Sequence, residues 1–127
     1  MNENSELLPE LNRLIHVPAR LAILVVLASC ERADFLFLER ATGLTRGNLS
    51  VQLTRLEEAG LIQIEKTMVQ KRTLTTVSLL RRGRTALDSY WSAMEAMRAR
   101  AQSGEVAGKI KSKTRALQGV QTAPATA

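Results

Sequence analysis

The stretch Leu36-Phe37-Leu38-Glu39-Arg40-Ala41-Thr42-Gly43-Leu44-Thr45-Arg46-Gly47-Asn48-Leu49-Ser50-Val51-Gln52-Leu53-Thr54-Arg55-Leu56-Glu57-Glu58-Ala59-Gly60 decides the fold. It reads as helix, tight turn, helix. Leu36 and Phe37 with Arg40 and Ala41 mark a short first helix, Gly43 can take the left-handed conformation that stops it, and Thr45 stands where an N-cap hydroxyl starts the next. In the second helix, 46–59, Leu49, Leu53 and Leu56 recur at i, i+4 and i+7 as one buried stripe, and Gly60 closes the far end. At about 100° per residue, Gly47, Asn48, Val51, Thr54 and Arg55 fall on the opposite side, with Ser50 and Gln52 on its flanks. An ordinary solvated face would carry long Lys and Glu side chains. Asn, Gln, Ser and Arg are instead the side chains that pair with base edges and phosphates.

Beyond Gly60 the period changes from helical to alternating. Leu61, Ile62 and Ile64 alternate with Gln63 and Glu65, and Thr73, Thr75, Val77 and Leu79 alternate with Leu74, Thr76 and Ser78. The basic segment 67–72 joins the two runs into a hairpin, and a hairpin directly after a recognition-type helix is a wing. Upstream, Leu7, Leu8, Leu11, Leu14 and Ile15 keep helical spacing until His16 and Pro18 interrupt it. Pro18 opens a helix over 19–29 that is apolar nearly all round and must be buried on most sides. Asp34 is either the cap of the next helix or part of a very short strand. Past Gly83, Ala86, Leu87, Tyr90, Trp91, Met94, Met97 and Ala101 return to helical spacing. Tyr90, Trp91, Met94 and Met97 there form one apolar stripe that serves the chain's own core or a second subunit. Residues 1–6 are expected to fray, 7–101 to form one domain, and the Ala/Thr-rich, partly basic 102–127 to be disordered.

The whole composition narrows the function classes. Among 127 residues, 45% apolar, 18 basic residues stand against 12 acidic ones for a net charge of +6. The excess is concentrated: from Arg40 to Arg84 there are nine basic residues (Arg40, Arg46, Arg55, Lys66, Lys71, Arg72, Arg81, Arg82, Arg84) and three acidic ones (Glu57, Glu58, Glu65). Nucleic acid is the natural partner of such a surface, because each neutralised phosphate releases condensed counterions. A single cysteine, Cys30, excludes an intrachain disulfide and fits a reducing cytoplasm. Leu21 to Ala28 is apolar but far short of the ~20 residues that cross a bilayer, and the acidic start is the wrong charge for a secretory signal. His16 and Cys30 cannot build a metal site from one chain, so neither metal nor cofactor is expected. No nucleophile triad, phosphate-cradling glycine loop or paired catalytic carboxylates occurs, which argues against an enzyme.

The residues that carry a resemblance are Leu14-Ile15-His16-Val17-Pro18-Ala19-Arg20-Leu21-Ala22-Ile23-Leu24, Phe35 with Leu38, Gly43-Leu44-Thr45, Asn48-Leu49-Ser50, Leu53, and Leu56-Glu57-Glu58-Ala59-Gly60-Leu61-Ile62, together with the segment 75–83. From about Leu11 to Met97 the chain resembles the compact, single-domain winged helix-turn-helix transcriptional regulators of the MarR/ArsR-like type. It departs from them at Val77, where they often carry an aromatic residue, and at Leu80-Arg81, where they carry a Thr-Pro pair. The resemblance implies a recognition helix in the major groove and a wing on the backbone or minor groove.

The expected fold is therefore mainly α with a small β-hairpin, a three-helical winged helix core flanked by N- and C-terminal dimerisation helices. The expected function is sequence-specific binding of double-stranded DNA by a homodimer that regulates transcription. Arg46 and Asn48 fall in the first turn of the recognition helix, where bases are met, and Val51 suits a thymine methyl. Thr45, Ser50 and Gln52 flank that face, Thr54 and Arg55 suit phosphates, and Gln70, Lys71 and Arg72 belong to the wing. Two other classes remain open: a winged helix used as a protein-interaction module, and a non-specific, chromatin-like DNA binder. No effector is indicated; a small molecule would have to bind in the dimer interface or beneath the recognition helix.

Overall fold

Pro18 at the first helical position sets the backbone for α1 (Pro18–Ala28), whose N-cap, Val17, has no side chain able to cap. The helix begins and ends one residue earlier than the 19–29 expected from the apolar run, because Ser29 already lies outside it as the C-cap. Ile23, Leu24 and Leu27 are buried. The computed structural model describes residues 12–104 and 107–111. Within it the chain divides into two units, 1–92 and 93–127.

Asp34 realises both alternatives left open by the sequence. It pairs in β1 (Ala33–Asp34) with Thr76, while its Oδ1 accepts a 2.7 Å hydrogen bond from Phe37 N as the cap of α2 (Phe35–Thr42). Gly43 ends α2 at φ 73°, in the left-handed region where glycine meets no steric penalty. Two residues later Thr45 Oγ1 accepts from Asn48 N at 3.1 Å and opens α3 (Arg46–Glu58). A cap of this kind stabilises a helix by about 1 kcal/mol. Leu49, Leu53 and Leu56 are buried as the stripe, and α3 packs against α1.

The hairpin consists of β2 (Ile62–Val69) and β3 (Arg72–Leu79), and β3 is the central strand of a three-stranded antiparallel sheet in the order β1-β3-β2. Its register runs from Ile62 opposite Leu79 to Val69 opposite Arg72. The joining segment 67–72 thus shrinks to the two residues Gln70 and Lys71, because the ladder continues through Met68 and Val69.

The last helix, α4 (Arg81–Ser103), starts two residues before the Gly83 at which its periodicity becomes visible. Leu80 N donates to Leu61 O at 3.0 Å, which ties the residue just before α4 to the residue just before β2. Gly83, Leu87 and Tyr90 turn inward at i, i+4 and i+7. This phase divides the stripe expected to act as one face. Tyr90 belongs to the chain's own core and is hydrogen-bonded to His16 Nδ1 at 2.8 Å, whereas Trp91 is 43% exposed. In the second unit α4 continues to Ser103 with an exposed Glu95–Arg98 ion pair at 3.5 Å, and residues 107–111 are again helical. The expected disordered tail is therefore helical at 102–103 and 107–111, and the rest of it lies outside the described residues. Of the expected N-terminal helix, 7–11 lies outside them too. Residues 13–15 form a turn, where Asn12 Oδ1 accepts from Leu14 N at 2.9 Å.

Gly83 carries the tightest steric demand in this unit: a Cβ there would lie 2.2 Å from Leu61 O, a backbone atom that cannot swing away. Gly83→Ala is expected to cost about 1–3 kcal/mol by overpacking, a fall in Tm on the order of 10 °C for a domain of this size. A thermal melt followed by circular dichroism checks it, and an unchanged Tm would show that the strand-to-helix junction is looser than described.

Candidate nucleic-acid interface

The outer face of α3 is built by exclusion: with its leucines buried, Arg46, Gly47, Asn48, Ser50, Val51, Thr54 and Arg55 are exposed, and Gln52 is half-buried on the flank. Val51 presents half of its surface to solvent. Arg46 is held at its base, its Nε donating to Glu39 Oε1 at 3.2 Å, which engages one of five guanidinium protons. Thr54 Oγ1 donates to Ser50 O at 3.0 Å, turning its hydroxyl back toward the helix. Asn48 and Gln52 are joined, Gln52 Nε2 donating to Asn48 Oδ1 at 3.0 Å, and Gln52 Oε1 accepts from Arg20 Nε at 2.8 Å. Among the described residues, the side chains of Arg55, Lys71 and Arg72 have no ion-pair partner.

The wing stands beside this face. Glu57, in the last turn of α3, accepts a 3.0 Å hydrogen bond from Ile64 N in β2, which ties helix to hairpin. An open cleft of about 870 Å³ is lined by Leu36 and Glu39 of α2, Arg46 and Ser50 of α3, and Gln70 and Arg72 of the wing. Four of the residues expected to meet nucleic acid are thereby brought to one concave surface. Ser50, Val51, Thr54 and Arg55 line a second, shallower depression along α3, which also takes in the acidic Glu58. Lys71 lines neither and stands at the hairpin turn.

Residues 19–97 match the family described as the winged helix DNA-binding domain. The chain belongs to that family. It is a family of DNA-binding domains and not of enzymes. An uncharacterized protein of Methanocaldococcus jannaschii is 31% identical over 78 residues, 61% of this chain and 85% of that relative. A transcriptional regulator homologue from Pyrococcus horikoshii OT3 superposes with a TM-score of 0.65 at 26% identity, over 69% of this chain and 87% of that one. Two more distant structures share the winged helix fold. YusO from Bacillus subtilis matches with a TM-score of 0.63 at 19% identity, over 91% of this chain and 84% of its own. A MarR-family regulator from Silicibacter pomeroyi matches with a TM-score of 0.56 at 22% identity, over 88% and 77%. The winged helix expected from the sequence is the fold of this chain.

Within this winged helix, three residues escaped sequence reasoning: Arg20, Glu39 and Glu57, which hold Gln52, Arg46 and the wing from behind. Arg20 had a signal, as the one charged residue in the otherwise apolar α1. Glu39 and Glu57 had none, since carboxylates on helix surfaces are usually solvated. Among the described residues no helix is long and apolar enough to cross a membrane, and no group of His, Cys, Asp and Glu could hold a metal ion.

The wing turn is strained. Gln70 (φ 48°) and Lys71 (φ 64°) both adopt the left-handed conformation that a two-residue hairpin turn requires, without the Asn-Gly pair that adopts it readily. Lys71→Gly removes one strained residue but frees the unfolded chain, so a net gain of about 0.5 kcal/mol is expected. The same change should weaken duplex binding, since it deletes a cation at the wing turn. Thermal melts and DNA titrations on the one variant check both signs.

Proposed function

We propose that two copies of this chain bind a roughly palindromic duplex site and regulate transcription, each inserting α3 into the major groove and resting its wing on the backbone or minor groove. The observation that carries this reading is the convergence of Arg46, Ser50, Gln70 and Arg72 on one cleft beside the exposed, uncharged Asn48 and Val51. Thr45 and Gln52 border the same face, while Thr54, Arg55 and Lys71 extend it along the helix and the wing. A solvated helix has no use for such a juxtaposition; a groove-reading helix needs polar donors for bases and cations for the flanking phosphates. The two recognition helices would be about 34 Å apart, one helical turn of DNA. The protomers would meet through the N-terminal segment and the last helix, where Trp91 is exposed. The likeness to the transcriptional regulator homologue of Pyrococcus horikoshii supports a regulatory role.

Fluorescence-anisotropy titration of the full chain against duplex DNA in rising salt tests the reading. Binding should weaken steeply with salt, in proportion to the phosphates contacted. Asn48→Ala should cost about 1–3 kcal/mol and relax preference at one base pair, whereas Arg55→Ala should weaken all sequences alike and lower the salt slope by about 1. Equal affinity for every sequence would point to a chromatin-like binder. No binding to any duplex at low salt would overturn the proposal and leave a protein-interaction module.

A further inference from the structure

Arg20 interrupts the apolar α1 and turns its guanidinium toward α3. Its Nη1 donates to Leu14 O at 3.1 Å and its Nε to Gln52 Oε1 at 2.8 Å, and Gln52 Nε2 donates onward to Asn48 Oδ1 at 3.0 Å. The direction of every bond in this chain follows from its inner end. A guanidinium has donors and no acceptor, so the Gln52 amide can meet it only with oxygen. The Gln52 NH2 group must then face Asn48, which can answer only with Oδ1. Asn48 Nδ2 is left, without a partner among the described residues, on the exposed face of α3.

We infer that Arg20 is a positioning residue for base recognition: acting through Gln52, it presents Asn48 to DNA as a hydrogen-bond donor. The inference rests on the proposed entry of α3 into the major groove. An unrestrained asparagine pairs with adenine in two bonds, giving its oxygen to N6 and its NH2 to N7. Here Gln52 holds one lone pair of that oxygen and so fixes its direction along the helix, which makes Nδ2 the group free to turn to a base. The base favoured opposite Asn48 is guanine, whose major-groove edge offers the acceptors O6 and N7 and no donor.

Two substitutions separate this role from a structural one. Arg20→Met keeps the aliphatic length and removes the donor, leaving the Gln52 and Asn48 amides free to turn. Gln52→Glu reverses the relay: a carboxylate accepts from Arg20 with one oxygen and from Asn48 Nδ2 with the other, so Oδ1 faces the groove and adenine N6 becomes the matching partner. The preferred site is selected from a random duplex library with the full chain, and the pair read by Asn48 is the one whose preference Asn48→Ala removes. At that pair the wild type should favour guanine over adenine about five- to hundredfold, the range of a good base-edge contact. Arg20→Met should abolish the guanine preference and shift the ratio to one or below, toward the adenine that a freed Asn48 pairs with, with preferences elsewhere retained, and Gln52→Glu should invert it. A uniform loss of affinity from the added negative charge cancels in the ratio.

An Arg20 that only holds the fold would lower Tm and weaken all duplexes equally without moving the ratio. A wild-type preference for adenine, or a ratio unchanged in both variants, would overturn the relay. Nitrogen-15 relaxation of the side-chain amides in the DNA-free protein gives a separate readout: Gln52 and Asn48 should both lose order in Arg20→Met. Unchanged order would overturn the relay even if the protein binds DNA. If order is lost but Asn48→Ala alters no base preference, the relay stands and the entry of α3 into the groove is what fails.

Discussion

The packing of the Leu49, Leu53 and Leu56 stripe on α1 is the constraint from which the rest of this winged helix follows. These three side chains are at most 2% exposed, and α1, which α3 contacts, buries Ile23, Leu24 and Leu27. Removing any one would cost about 2–5 kcal/mol, a large part of the stability of a small domain. The more specific effect is rotational. A helix whose apolar stripe is pinned has no freedom about its axis, so burying the leucines determines which side chains face outward. Asn48, Val51 and Arg55 are exposed because Leu49, Leu53 and Leu56 are not.

A second set of contacts fixes what lies around that helix. Glu57 links its last turn to Ile64 in β2, and Leu61, immediately after it, offers one carbonyl to Leu80 N and the same edge to Gly83. Recognition helix, wing and the start of α4 therefore meet within a few residues of Gly60, itself in the left-handed region at φ 78°. The sheet brings β1 to the other edge of β3, where Asp34 also caps α2. Polar side chains act here as local connectors between elements that apolar burial has already brought together.

Most of this arrangement was legible where the signal is local. The stop at Gly43, the cap at Thr45, the stripe in α3 and the change of period after Gly60 each need only residues within one or two turns, and each is found where the sequence puts it. What was not legible depends on partners distant in the chain. Arg20 meets Gln52 across 32 positions, and His16 meets Tyr90 across 74, so no spacing announces either. The inward turn of Tyr90 away from Trp91 follows from the phase of α4, which Gly83 sets by its approach to Leu61. The wing turn was hidden for a different reason: Gln70-Lys71 lacks the residue types that take a left-handed backbone readily, and only the register of the strands reveals it.

The sheet order has a mechanical consequence. β1 pairs with β3 only at Thr76 and Val77, so the pairs from Lys66–Thr75 to Val69–Arg72 form a ribbon of two strands with no third strand beside them. At about 3.3 Å per residue this is a cantilever roughly 13 Å long, stiff where three strands meet and compliant at Lys71. In the DNA complex proposed above, small differences in groove width would be absorbed by flexing that beam, with no displacement transmitted to the leucines at its root.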